Sequence, residues 1–88
     1  MSTAAKPDDV PRAHRVEVSD ERITAHLVDG RTISVPLSWS WRLSEASAEQ
    51  RRRYHLIANG EGIRWPDVDE DISVRGMLEG VPARRRTR

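Results

Sequence analysis

Apolar and polar positions alternate in three successive stretches of the chain. His14, Val16 and Val18 alternate with Arg15 and Glu17. Ile23, Ala25 and Leu27 alternate with Thr24 and His26, and Ile33, Val35 and Leu37 with Thr32, Ser34 and Pro36. A period of two predicts strands with one buried face. Ser19-Asp20-Glu21 supplies the first turn, and Asp29-Gly30 signals a hairpin. The register follows from the apolar pattern. A two-residue loop at Asp29-Gly30 pairs Ala25 with Ser34 and puts the two apolar sets on opposite faces. A three-residue loop, Val28-Asp29-Gly30, pairs Ala25 with Ile33 and Ile23 with Val35, and the sets share a face. That loop ends in a left-handed residue, where Gly30 stands. A one-residue slip would turn a whole apolar face into water, so the three-residue loop is expected. Pro36 has no N–H for a ladder, so the third strand ends there or lies at an edge.

Beyond Pro36, Leu37, Trp39, Trp41 and Leu43 alternate with Ser38, Ser40 and Arg42. The alternation predicts a prolonged strand or an extended ledge, with both Trp on one side. Ser47-Ala48-Glu49-Gln50 has the capping-box arrangement of a helix start. Tyr54, Ile57 and Ala58 sit at i, i+3 and i+4, and Asn59-Gly60 reads as a left-handed stop. A helix from Ser47 to Asn59 is expected; the competing reading takes His55 to Ala58 as a short strand. Ile63 to Trp65 is extended, fixed by Pro66. Ser73 to Glu79 reads as a last short helix, with Val74, Met77 and Leu78 at helical spacing and Gly80 as its stop.

The expected organisation is a loose N-terminal arm at 1–13, one α+β domain at 14–80 and an Arg-rich tail at 81–88. A domain of this size buries only about 60% of its unfolded surface, so its stability is expected to be marginal. The absence of Cys excludes disulfides, thiolate chemistry and Cys-held zinc. No apolar run approaches a membrane span and no signal peptide is evident, which points to a soluble, cytoplasmic protein. The net charge of +1 conceals an asymmetry. Without Arg84, Arg85, Arg86 and Arg88 the chain has 11 basic against 14 acidic residues, a net −3. Such a tail can solubilise the chain end or touch phosphates or an acidic partner.

The least ordinary stretch is Gly60 to Asp71, GEGIRWPDVDED. Asp67, Asp69 and Asp71 copy positions 1, 3 and 5 of a calcium loop. The sixth position, which should be Gly, is Ile72, and the twelfth, which should be Glu, is Leu78. The calcium-loop reading fails there, a looser magnesium site is the one metal alternative left, and no metal or cofactor is expected. Asp67, Asp69, Glu70 and Asp71 are then either capping and loop-bonding residues or an acidic contact surface for a basic partner. His14, His26 and His55 lack ligand spacing, and no nucleophile elbow or phosphate-cradling Gly loop occurs, so no enzyme is expected. With no Phe in the chain, Trp39, Trp41 and Trp65 are the natural core aromatics. One of them lying exposed beside Arg42 or Arg64 would be an interface anchor instead.

DGRTISVPLSWSWRL, ASAEQR and GEGIRWPDVDEDISVRGMLEG together resemble a small bacterial family, domain of unknown function 2442. The likeness spans about 14–80. Ser40 and Trp41 stand where that family usually has an aromatic and then Pro, and Arg64 where it often has His. The resemblance implies a compact α+β domain, found alone or joined to a helix-turn-helix, and often encoded beside another small protein in arrangements that look like toxin–antitoxin pairs.

The expected fold is a three-stranded antiparallel meander carrying one helix, a short extended segment and a short C-terminal helix. The expected function is a non-enzymatic protein-binding module, the antitoxin-like or regulatory member of a two-gene system. Its partner is a neighbouring gene's product or a second copy. The contact is expected at Trp39, Trp41, Arg42, Arg64, Trp65, Asp67, Asp69, Glu70 and Asp71. The alternative is a nucleic-acid-binding regulator acting through Arg51, Arg52 and Arg53 and through Arg84, Arg85, Arg86 and Arg88.

Overall fold

The turn at Gly30 takes the three-residue form. Leu27 N–H donates to Arg31 O (2.8 Å), Ile23 lies opposite Val35 and Ala25 opposite Ile33. Gly30 has φ +97°, as the left-handed end of that loop requires. The computed structural model describes residues 10–82. Its first sheet is an antiparallel meander of β1 (Ala13–Val18), β2 (Arg22–Leu27) and β3 (Thr32–Pro36) in that order. Val16, Ile23, Ala25, Leu27 and Val35 fill its buried face. A bulge between Ala13 and Arg15 makes His14 the extra residue, so Ala13 turns inward while His14 is exposed. Packing extends before residue 14: Ala13 is buried, and Arg12 O accepts from Val28 N–H (2.9 Å).

The alternation after Pro36 does not make a ledge. Leu37–Trp39 is a 3-10 turn, and α1 (Trp41–Ser44) follows. Ser40 is the cause. Its hydroxyl accepts from Leu43 N–H (3.1 Å) and starts the helix; the 3-10 turn buries Leu37 and the helix Leu43, while Trp39 and Trp41 are half-buried.

α2 (Ala48–Arg52) starts on the expected capping box. Ser47 Oγ accepts from Gln50 N–H (3.1 Å), and Gln50 Oε1 accepts from Ser47 N–H (2.9 Å). The helix then stops after one turn instead of reaching Asn59. In a continued helix Arg51 O would accept from His55 N–H. Here Trp65 Nε1–H donates to Arg51 O (3.0 Å) and takes that acceptor. Tyr54 turns to the first sheet, where its hydroxyl accepts from Val16 N–H (3.0 Å). His55–Ile57 becomes β4, so the short-strand alternative holds.

β4 is the edge of a second antiparallel meander with β5 (Gly62–Trp65) and β6 (Glu70–Ser73), which the expected fold lacked. Asn59-Gly60 ends a strand, not a helix. Ala58, Asn59 and Gly60 are all left-handed, with φ 51°, 59° and 91°. A Cβ on Gly60 would lie 2.7 Å from Ala13 O, so the glycine lets this turn press against β1. Ile63, Trp65 and Ile72 join the first sheet's buried face in one cluster. α3 (Val74–Glu79) closes the fold. Ser73 caps it, accepting from Gly76 N–H (3.1 Å), and Gly80 ends it in the left-handed region. Val74 and Met77 are buried, but Leu78 is exposed. No helix among the described residues is long and apolar enough to cross a membrane.

Candidate functional site

Strand geometry sorts the central stretch into two faces. Ile63 and Trp65 point inward from β5, so Arg64 between them points out. Asp71 lies opposite Arg64 on β6. Arg64 Nη1 donates to Asp71 Oδ1 and Nη2 to Asp69 Oδ1, each at 2.9 Å. Asp69 is held left-handed (φ 55°) at the turn into β6. Arg42 arrives from α1 and donates to Asp69 O, with the Asp69 carboxylate 3.8 Å away. The Arg42 guanidinium also lies 5.3 Å from the centroid of the Trp41 ring. Trp41, Arg42, Asp69, Arg64 and Asp71 therefore form one contiguous strip from separate parts of the chain. Asp71 and then Asp69 hold the Arg64 guanidinium above its ordinary pKa, so its charge is fixed.

The other residues expected at the site are placed elsewhere. Trp65 is wholly buried and forms core, with Tyr54 tilted against it at 6.5 Å. Glu70 is buried too: it accepts from Ser40 Oγ (2.5 Å) and Asp71 N–H (3.0 Å), tying α1 to the second sheet. Trp39 packs against the core. Asp67 lies outside the strip, 3.5 Å from Arg53. Arg51 belongs to no surface cluster. It is buried, donates to Leu43 O (2.9 Å) and Ser44 O (3.2 Å), and pairs with Asp20 (2.8 Å). Arg52 and Arg53 are exposed, while Arg84, Arg85, Arg86 and Arg88 lie outside the described residues.

A shallow hollow lies at each end of the strip. Trp41, Arg42, Glu45 and Val68 line the first. Ile57, Glu61, Gly62, Asp71 and Ser73 are among the residues lining the second. Gly62 makes the second hollow: a Cβ there would sit 3.0 Å from Ile57 Cγ1. Sequence reasoning missed Glu45 and Glu61. A glycine inside a strand was the available signal for the second hollow.

One other grouping bears on chemistry. Glu17, His26 and Thr32 make a carboxylate–imidazole–hydroxyl row on the solvent side of the first sheet. His26 Nε2 is 3.2 Å from Glu17 Oε1, and Nδ1 is 3.3 Å from Thr32 Oγ1. The His26 hydrogen bond first, and Arg15 next, hold the Glu17 carboxyl below its ordinary pKa. Among the described residues no group of three or more His, Asp or Glu side chains is placed to hold a metal ion. Arg64 already occupies the Asp69 and Asp71 carboxylates that a calcium loop would use.

The family described as "Protein of unknown function (DUF2442)" matches residues 13–83. A protein of unknown function from Rhodospirillum rubrum is similar in structure, with TM-score 0.75 and 25% identity over 88% of this chain and 95% of that one. An uncharacterized protein from Chromobacterium violaceum has TM-score 0.70 and 23% identity over 83% of this chain and 69% of that one. No curated protein matches the chain.

Proposed function

Because the chain belongs to the DUF2442 family, whose function is unknown, its fold brings no activity with it, and we propose from its surface that it is a non-enzymatic protein-binding module. In this reading it is the antitoxin-like or regulatory member of a two-gene system in the bacterial cytoplasm. Its partner is the product of a neighbouring gene, or a second copy of itself. The observation that carries the proposal is the strip Trp41–Arg42–Asp69–Arg64–Asp71. It sets a half-exposed Trp and two Arg, favoured anchors of interfaces, in fixed positions on one face. Ion pairs hold these long side chains in place before any partner arrives, which lowers the ordering cost of association.

Tagged protein purified from its own host under stringent washing should retain a stoichiometric partner. Trp41→Ala or Arg64→Ala should weaken that complex by about 1 to 4 kcal/mol while circular dichroism stays that of the folded domain. A bare monomer that binds DNA or RNA tightly, with affinity falling steeply as salt rises, would replace this reading with nucleic-acid binding. The net −3 outside the Arg tail and the burial of Arg51 weigh against that alternative.

A further inference from the structure

The chemistry of the partner can be read from which charges on the strip are already spent. Arg42 and Arg64 are both engaged by Asp69, and Arg64 by Asp71 as well. A partner carboxylate would have to share either cation with a carboxylate that the fold already places against it. The carboxylates at the two ends differ. Glu45 borders the first hollow and Glu61 the second, both are exposed, and neither has an ion-pair partner among the described residues. Across the strip and its hollows, the carboxylates Glu45, Glu61, Asp69 and Asp71 face the two guanidiniums Arg42 and Arg64. Each free carboxylate also has apolar wall beside it: Trp41 and Val68 in the first hollow, Ile57 over Gly62 in the second.

A Lys or Arg side chain matches such a place twice. Its alkyl stem covers apolar surface while its charged head reaches the carboxylate. We infer that, if the strip is the binding face proposed above, its occupant is a segment of a second protein carrying two Arg or Lys residues, each next to an aliphatic one. One basic–aliphatic pair takes the Trp41–Val68 hollow with Glu45, and the other takes the Ile57–Gly62 hollow with Glu61. The Arg42–Asp69–Arg64–Asp71 ladder lies between them and stays internally paired. Opposite charge across the interface speeds encounter and excludes acidic partners.

The full chain is titrated into three fluorescein-labelled peptides and an RNA dodecamer, followed by anisotropy at physiological salt. The first peptide carries two Arg-Leu pairs in a Ser/Gly background. In the second, Asp replaces each Arg. The third is Pro-Ala-Arg-Arg-Arg-Thr-Arg, the sequence of residues 82–88, which offers charge without a large aliphatic group and stands for a second copy. The Arg-Leu peptide should bind at least tenfold more tightly than the other three probes. Glu45→Lys with Glu61→Lys should cost it at least tenfold, with an unchanged thermal midpoint, since both positions are exposed. Equal binding of the Asp-Leu peptide, or no effect of the double variant, overturns the inference. Equal or tighter binding of the 82–88 peptide or of RNA overturns it too, in favour of a second copy or a nucleic acid. If capture from the host depends on Trp41 while the peptide panel shows no basic preference, the inference fails and the binding module stands. If no partner is captured, the binding module fails, and the peptide ranking still decides the strip's chemistry.

Discussion

The two meanders are built from strands of the same kind yet specified in different ways. In the first sheet, strands of five or six residues alternate cleanly, and a turn glycine sets the register. Its instructions are local. The second sheet has strands of three or four residues, and one of them, β4, buries no side chain. Contacts from far along the chain hold it: the Trp65 indole on the Arg51 carbonyl, the Glu70 carboxylate on Ser40, and Arg42 on the Asp69 carbonyl. A sheet held this way can keep an exposed, charged outer face, because its order does not depend on burying both faces of its strands. The proposed contact strip lies on that face.

The largest expected effect is in the second sheet. Trp65→Ala removes a wholly buried indole and frees the carbonyl that stops α2. Loss of a buried aromatic of this size costs about 3 to 5 kcal/mol, enough to unfold a marginal domain. Urea denaturation followed by circular dichroism should show no native baseline. A folded variant destabilised by under about 1 kcal/mol would mean that the indole does not organise the sheet.

That residue also shows why half of the fold was legible in the sequence. The alternation of β1 to β3 and the chemistry of Gly30 are written within a few residues of where they act. So are the capping box at Ser47 and the helix from Val74 to Glu79. The stop of α2 is not, because the group that takes the Arg51 carbonyl is fourteen positions away. Tyr54, Ile57 and Ala58 keep their helical spacing, but no helix forms to use it. Part of the site was legible for a related reason. Arg64, Asp69 and Asp71 lie close in sequence, and strand alternation puts Arg64 and Asp71 on one side. Trp65 and Glu70 were grouped with them by proximity, and the same alternation turns both inward.

The two turn glycines sharpen the contrast. Gly30 and Gly60 both have positive φ, but nothing lies within 4 Å of a Cβ placed on Gly30. Gly30→Ala should therefore cost only backbone strain, about 1 kcal/mol. Gly60→Ala adds a clash with the Ala13 carbonyl, and overpacking of this kind adds about 1 to 3 kcal/mol. Equal costs by chemical denaturation would show that the second sheet's turn does not rest on β1.

The smallest effect belongs to the first sheet's polar face. The folded Glu17 carboxyl lies below its ordinary pKa of 4.5. Its contribution to stability is thus present above the unfolded value and lost as pH falls through the folded one. Glu17→Gln should reduce the loss of thermal midpoint on acidification below the ordinary carboxylate range and leave the neutral-pH midpoint nearly unchanged. An identical acid slope in variant and wild type would mean the pair with His26 is not made in solution. Because the group is exposed, even the expected change is slight.

Arg51 meets the chain chiefly through main-chain carbonyls, at Leu43 and Ser44, while its one charged partner among the described residues, Asp20, is almost wholly exposed. A carbonyl oxygen is present whatever side chain its residue carries. Substitutions at Ser44 can alter its surroundings, but they leave those acceptors in place. The clasp joining α2 to the end of α1 can therefore be lost at one position only, Arg51 itself. A lysine there would supply one ammonium where a planar fork now reaches separate acceptors. A library of single substitutions selected for folding should accordingly be permissive at the exposed Ser44 and Asp20 and intolerant at Arg51.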